Sequence, residues 1–246
     1  MRALVTGASS GIGAEIARLL SEKGYEIILV ARREDRLLEV QKNLKTKSRI
    51  FVADLGKMED LENLVTAFPD VDILVNNAGL GVYGEFTQTD FHKENLMIDV
   101  NIRALHFLMK KYIPLMKNGG KILNIASSAA FCSGPLLSSY YASKAYVLRL
   151  SNGVREELRR NKIPVSITVF CPGPVETEFG EVSGSDLGAG IITAEFAAKK
   201  AVSGMLKGKK TVVPTLTMKF TRVLAKLLPD TLLVKIMYGI QKNKRR

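Results

Sequence analysis

The chain has no tryptophan, and only two cysteines and two histidines in 246 residues. These scarcities exclude several chemistries. Cys132 and Cys171 have neither the C-x-x-C spacing of a redox or zinc pair nor the density of a disulfide scaffold, so both are expected reduced and buried in a cytoplasmic protein. His92 and His106 lack an H-E-x-x-H setting and a cysteine at ligand spacing, so no metal site is expected. No apolar run approaches the roughly 18 residues of a spanning helix. The chain enters a strand pattern at its second residue, so no N-terminal signal peptide is expected. There is no internal repeat and no low-complexity linker, and one domain over 1–246 can bury a substantial core.

Acidic residues are scarce in one place. From Lys207 to Arg246 there are 11 Lys or Arg and one acid, Asp230, and this stretch holds most of the formal charge of +12. The first 206 residues carry 25 basic and 23 acidic side chains. Phe220, Val223, Leu224, Leu227 and Leu228 recur at helical spacing, with Lys219, Arg222 and Lys226 opposite. After Pro229 a second stripe runs through Leu232, Leu233, Ile236, Met237 and Ile240 into the tail Q-K-N-K-R-R. Two basic amphipathic helices over 215–246 are therefore expected. Such helices either lie at an anionic membrane surface or pack on the substrate region or a partner subunit. Nucleic-acid binding is not expected, because the charge is confined to the tail and no aromatic-studded basic patch accompanies it.

Elsewhere short apolar runs alternate with helical patterns. Strands are expected at 2–6, 26–30, 49–53, 71–75, 120–126, 164–170 and 211–214, and helices at about 11–23, 34–46, 57–67, 89–117, 138–161 and 193–206. This alternation predicts an α/β fold, a doubly wound parallel sheet of about seven strands with helices on both faces and a C-terminal helical extension. Its ligand crevice lies at the carboxyl ends of the strands.

The residues that carry chemistry gather at those ends. Gly7-Ala8-Ser9-Ser10-Gly11-Ile12-Gly13 joins the first strand to the first helix and places backbone N–H groups and a helix N-terminus where a pyrophosphate can sit. The spacing is G-x-x-x-G-x-G, neither the common G-x-G-x-x-G nor a P-loop. Asn76-Asn77-Ala78-Gly79 follows the fourth strand and Ser127 the fifth. Tyr140 and Lys144 stand one helical turn apart on one face. An ammonium about 4 Å from a phenol, at an effective dielectric of about 20, is worth roughly 4 kcal/mol. That would draw the phenol down from about 10 towards neutrality, where a proton donor works best. Tyr141, three residues from Lys144 and fourteen from Ser127, is the rival.

T-G-A-S-S-G-I-G at 6–13, D-L at 54–55, N-N-A-G at 76–79, Asn101 in D-V-N-I, Ser127, Tyr140 to Lys144, and P-G-P-V-E-T at 172–177 together resemble the short-chain dehydrogenase/reductase family over about residues 1–215. The resemblance implies a carbonyl reductase or alcohol dehydrogenase with Tyr140 as acid and base. It implies that Lys144 lowers the tyrosine pKa and bonds the nicotinamide ribose, that Ser127 bonds the substrate oxygen, and that Asn101 holds a relay water; Asn101 alternatively caps or kinks its helix. The cofactor site it implies comprises Gly7, Ser9, Ser10, Gly11, Ile12, Gly13, Asp54, Leu55, Asn77, Ala78, Gly79, Tyr140, Lys144, Pro172, Gly173, Val175 and Thr177. Asp54 resembles an adenine contact, with a helix cap as the other reading. Ala31-Arg32-Arg33 at the end of the second strand offers room and guanidinium groups for a ribose phosphate, so NADP(H) is expected over NAD(H), with Arg32 the better ligand and Arg33 the second. Segment 178–192 suits a lid over the substrate, within a lid and helix region spanning 178–206. A homodimer or homotetramer, and a small, hydrophobic carbonyl or alcohol substrate, are implied too. The other reading is a non-catalytic NADP(H)-binding sensor or scaffold, a role in which the tyrosine or lysine is usually lost.

Overall fold

The computed structural model describes residues 1–116, 119–184 and 190–243. The central sheet forms from β1 (Arg2–Thr6), β2 (Glu26–Ala31), β3 (Ser48–Val52), β4 (Ile73–Asn76), β5 (Lys121–Ile125) and β6 (Ser166–Phe170). Two strands of a separate small sheet follow, β7 (Val175–Glu176) and β8 (Ile192–Thr193), and β9 (Thr211–Val212) closes the edge of the large one. The large sheet has seven strands in the order β3-β2-β1-β4-β5-β6-β9. Every neighbouring pair in it is parallel.

Strands such as Ile27–Val30 read as unbroken apolar runs because both faces of a parallel sheet are covered. Alternate residues feed opposite layers. Leu4, Ile28 and Leu74 pack with residues of α3 (Met58–Ala67), α5 (Leu105–Leu115) and α6 (Ser138–Arg160). Ala3, Val5, Ile27 and Val75 pack with α1 (Gly11–Glu22), α2 (Glu34–Lys42) and α8 (Ala194–Leu206).

The helix expected at 89–117 is three consecutive pieces. It comprises α4 (Phe91–Ile98), a π-helical segment Asp99–Ala104 and α5. Residues 117–118, at its expected end, lie outside the described residues. The short α7 (Phe179–Ser183) and the β7–β8 pair were not expected; α7 lies within the expected lid segment 178–192, β7 precedes it and β8 begins at its last residue, and residues 185–189 lie outside the described set. At the C-terminal end α9 (Leu216–Leu227) and α10 (Asp230–Lys242) form the two anticipated helices; 244–246 of the basic tail lie outside the described residues. Among the described residues no helix is long and apolar enough to cross a membrane.

Candidate active site

Strand order reverses between β1 and β4, and a cleft of about 430 Å³ opens there at the carboxyl ends. That size lies within the ~300–1,000 Å³ typical of ligand pockets. Its floor is the turn from β1 to α1. Gly7 sits at φ +63°, a left-handed conformation that a side chain resists. At Gly13 a Cβ would lie 2.2 Å from the Gly7 carbonyl oxygen, so only glycine lets the helix start this close to the turn. The N-cap Ser10 makes no side-chain cap bond, which leaves the first-turn N–H groups directed to an anion. The Asn77 amide donates 3.0 Å bonds to the Thr6 and Gly7 carbonyls, while the Thr6 hydroxyl donates to Val75 O and accepts from the N–H groups of Asn77 and Ala78. Thr6 thus ties the two strand ends together.

Nearly all the expected site residues converge on this cleft. The turn residues Gly7, Ser9, Ser10, Gly11 and Ile12 line it, as do Arg32, Arg33, Asp54, Leu55, Asn77, Ala78 and Gly79. Ser127, Tyr140, Lys144, Pro172, Gly173, Val175 and Thr177 complete the far wall. Gly13 and Asn101 act from behind it, Gly13 through the turn just described. Asp54 does not cap α3, whose N-cap is Lys57; its Oδ1 accepts the Gly56 N–H at 3.0 Å and holds the turn before that helix. Arg33 reaches across the turn to the Ser9 and Ser10 hydroxyls, 3.3 Å from each, and pairs with Glu178 at 2.7 Å. Glu178 is held below its ordinary value by that guanidinium bond.

The tyrosine–lysine pair differs from its sequence expectation. Lys144 Nζ donates to Ile125 O at 3.1 Å and lies 5.7 Å from the centre of the Tyr140 ring, without a hydrogen bond to its hydroxyl. Burial therefore decides both groups. It pushes Tyr140 up to about 12, offset in part by the nearby Ser127 hydroxyl, which itself accepts the Ala129 N–H at 3.1 Å, and pulls Lys144 down to about 8. The phenol is held as a proton donor, not as a tyrosinate. Tyr140 is flanked by Phe179, 5.3 Å between ring centres.

Asn101 is buried, and both ends of its amide are engaged. Oδ1 accepts the Leu80 N–H at 2.8 Å, and Nδ2 donates to Leu80 O at 2.9 Å and Ser143 Oγ at 3.0 Å. Its side chain clamps the backbone beside Gly79, on the wall shared with Lys144.

Gln241 escaped the sequence reading. It is buried, lines the cleft from the end of α10, and donates its amide N–H to the Tyr141 hydroxyl, while its backbone carbonyl accepts from Tyr83 at 2.8 Å. Its Oε1 has no hydrogen-bond partner among the described residues. The signal was available: Leu233, Met237 and Gln241 are spaced by four, and Leu233 is buried like Gln241.

A parallel sheet with a phosphate-suited turn at its switch point and a tyrosine and lysine in the same cleft defines a dinucleotide-binding oxidoreductase. Comparison with known proteins makes this specific. The family model for short chain dehydrogenase matches residues 1–188, and the chain belongs to that family. An uncharacterised oxidoreductase of Staphylococcus epidermidis is 35% identical over 192 residues, covering 76% of this chain and 82% of the relative. A short-chain dehydrogenase from Sphingobium yanoikuyae, solved in complex with NADPH, superposes with a TM-score of 0.81 at 29% identity, covering 87% of this chain and 88% of that one. A member from Burkholderia phymatum in complex with NAD shares the fold, with a TM-score of 0.80 at 21% identity over 90% and 91% of the two chains.

Proposed function

We infer that the protein is an NADP(H)-dependent oxidoreductase that interconverts a carbonyl and an alcohol, with Tyr140 as acid and base. The observation that carries this reading is the convergence of Ser127, Tyr140 and Lys144 on one wall of the cleft, with Lys144 one turn along α6 from Tyr140. When bound, the nicotinamide supplies or accepts the hydride. The chain's own contribution is protonic and electrostatic. Tyr140 gives its proton to the substrate oxygen in reduction and takes it back in oxidation. The Ser127 hydroxyl donates to the same oxygen where negative charge develops. The Lys144 ammonium stabilises the tyrosinate left behind.

Three features support NADP(H) over NAD(H). β2 ends in Ala31, without a carboxylate for the ribose hydroxyl, and Arg32 and Arg33 stand exposed beside it. Arg33 already reaches over the glycine turn. The Sphingobium relative was solved with NADPH. Leu80, Ala129, Leu137 and Phe179 line the substrate end, which supports a hydrophobic carbonyl or alcohol. The family resemblance supports a homodimer or homotetramer built through α5 and α6.

The test is nicotinamide oxidation with NADPH and NADH in parallel against ketones, aldehydes, 3-oxoacyl thioesters and steroids. Turnover with at least about a tenfold preference for NADPH is expected, since a charge-assisted phosphate contact is worth about 1.5–3 kcal/mol. Equal efficiency with both cofactors would remove the NADP(H) assignment. Tight NADPH binding with no turnover of any substrate class would favour a sensor.

A further inference from the structure

We propose that α9 and α10 form a docking surface for an anionic lipid bilayer, on which the molecule lies without crossing it. An amphipathic helix on a folded body ordinarily turns its apolar stripe inward. α9 does the reverse. Leu216, Phe220, Val223, Leu224 and Leu227 share one face by helical spacing, and they are 80%, 68%, 54%, 41% and 75% exposed. The side turned to the body is narrow. It consists of Met218, whose sulfur accepts the Gly173 N–H at 3.2 Å, Arg222, whose guanidinium lies 5.0 Å over the Phe131 ring, and part-buried Ala225.

α10 divides its apolar residues in the same manner. Leu233 and Gln241 go inward and Met237 packs on the small cluster around Tyr141, while Leu232, Ile236 and Ile240 remain 46%, 44% and 47% exposed. Two successive helices thus present eight large apolar side chains outward. Isolated exposed apolar residues need no explanation, but a run of this kind marks an interaction surface.

Charge selects the occupant. The segment 207–246 carries 11 cationic residues and one acid, and Lys219, Lys235 and Lys242 are exposed on these helices. A second copy meeting this face about a two-fold axis would set the basic segment against itself, a like-charge juxtaposition. An anionic bilayer satisfies both halves of the surface: the apolar side chains enter the headgroup boundary, and the lysines meet lipid phosphates and carboxylates.

The experiment is sedimentation of the full chain with phosphatidylglycerol–phosphatidylcholine vesicles and with pure phosphatidylcholine vesicles, across a salt series. The wild type is expected to bind the anionic vesicles at least about tenfold more tightly, with the difference shrinking as salt rises. Phe220→Ser with Leu227→Ser, and separately Lys219→Glu with Lys235→Glu, should each weaken anionic binding by about tenfold or more. All four residues are exposed, so unchanged thermal melts verify that each variant is folded. Equal binding to both vesicle types, no binding to either, or undiminished binding by both variants would overturn the proposal. So would light scattering that shows a dimer abolished by the apolar variant, which would assign the face to a second copy. None of these readouts depends on turnover, so the proposal and the oxidoreductase reading fail separately.

Discussion

Tyr140 and Lys144 sit in one cleft with their pKa values displaced in opposite directions by the same cause. Burial disfavours the phenolate and the ammonium alike, moving Tyr140 to about 12 and Lys144 to about 8. Removing the Tyr140 hydroxyl deletes the proposed proton donor and little else. Tyr140→Phe should lower kcat by about 10²–10⁴, the usual worth of general acid catalysis, with NADPH affinity nearly unchanged. Retained turnover would transfer the role to another group. Lys144 gives a separate expectation. Its ammonium is present below about pH 8 and lost above it, so kcat/KM for NADPH, which reports the free protein, should be level below that pH and decline above it. A profile level to about pH 10 would mean the ammonium is not required. The spacing of these two residues is plain in the sequence, because helical periodicity converts it directly into a shared face. Their electrostatics were not legible there. The expected pull of the ammonium on the phenol presumed close approach, whereas Lys144 Nζ bonds to the end of β5, and spacing carries no information about that bond.

Between the helices α4 and α5 the chain widens into a π-helical segment containing Asn101. π-bulges recur at functional sites because they re-aim side chains from an otherwise regular helix. Here the Asn101 amide reaches Leu80 and Ser143 and holds the loop beside Gly79. Asn101→Ala would leave the Leu80 N–H and carbonyl without these partners, at about 1–3 kcal/mol for each group. The melting temperature should fall by roughly 5–15 °C in a chain of this size. A melt within about 2 °C of wild type would mean that water replaces the amide fully. This helix shows which elements the sequence conceals. Periodicity marks 89–117 as one helix, since a single widened turn scarcely disturbs an apolar pattern. The inner strands β1, β2, β4, β5 and β6 were legible because double burial makes them largely apolar runs, whereas the edge strands β3 and β9 are only partly buried. The two-residue strands β7 and β8 and the short α7 lack the length to show a period. The stripe on α9 was legible too, but not its direction: periodicity identifies an apolar face without saying what the face meets.

The whole molecule is expected to weaken at alkaline pH, because burial or part-burial raises several of its thiols and phenols. Cys171 is pushed by burial from 9.0 up to about 12, and Cys132 is raised as well. Tyr140 moves from 10.0 up to about 12, and burial also raises Tyr112 and Tyr141. In each case the folded state keeps a proton that the unfolded chain releases first. Their contribution to stability is complete below the unfolded value and is lost as pH rises towards the folded one. Lys144 acts oppositely. It is lowered from 10.5 to about 8, so the folded state is penalised below that pH and relieved between the two values. One group therefore favours stability from about pH 8 upward, and five oppose it from about 9 or 10 upward. Each group changes stability by at most about 1.4 kcal/mol per pH unit, so the five prevail. The melting temperature should rise slightly to about pH 8–9 and then fall steeply. In Cys171→Ala the part of the decline that begins near pH 9 should diminish, while the later part, owed to the tyrosines, persists. A series of thermal melts across this range checks both statements. A melting temperature that climbs steadily past pH 10 would mean that the tyrosines and thiols are more hydrated in the folded protein than their burial implies, and that the penalty on Lys144 outweighs them all.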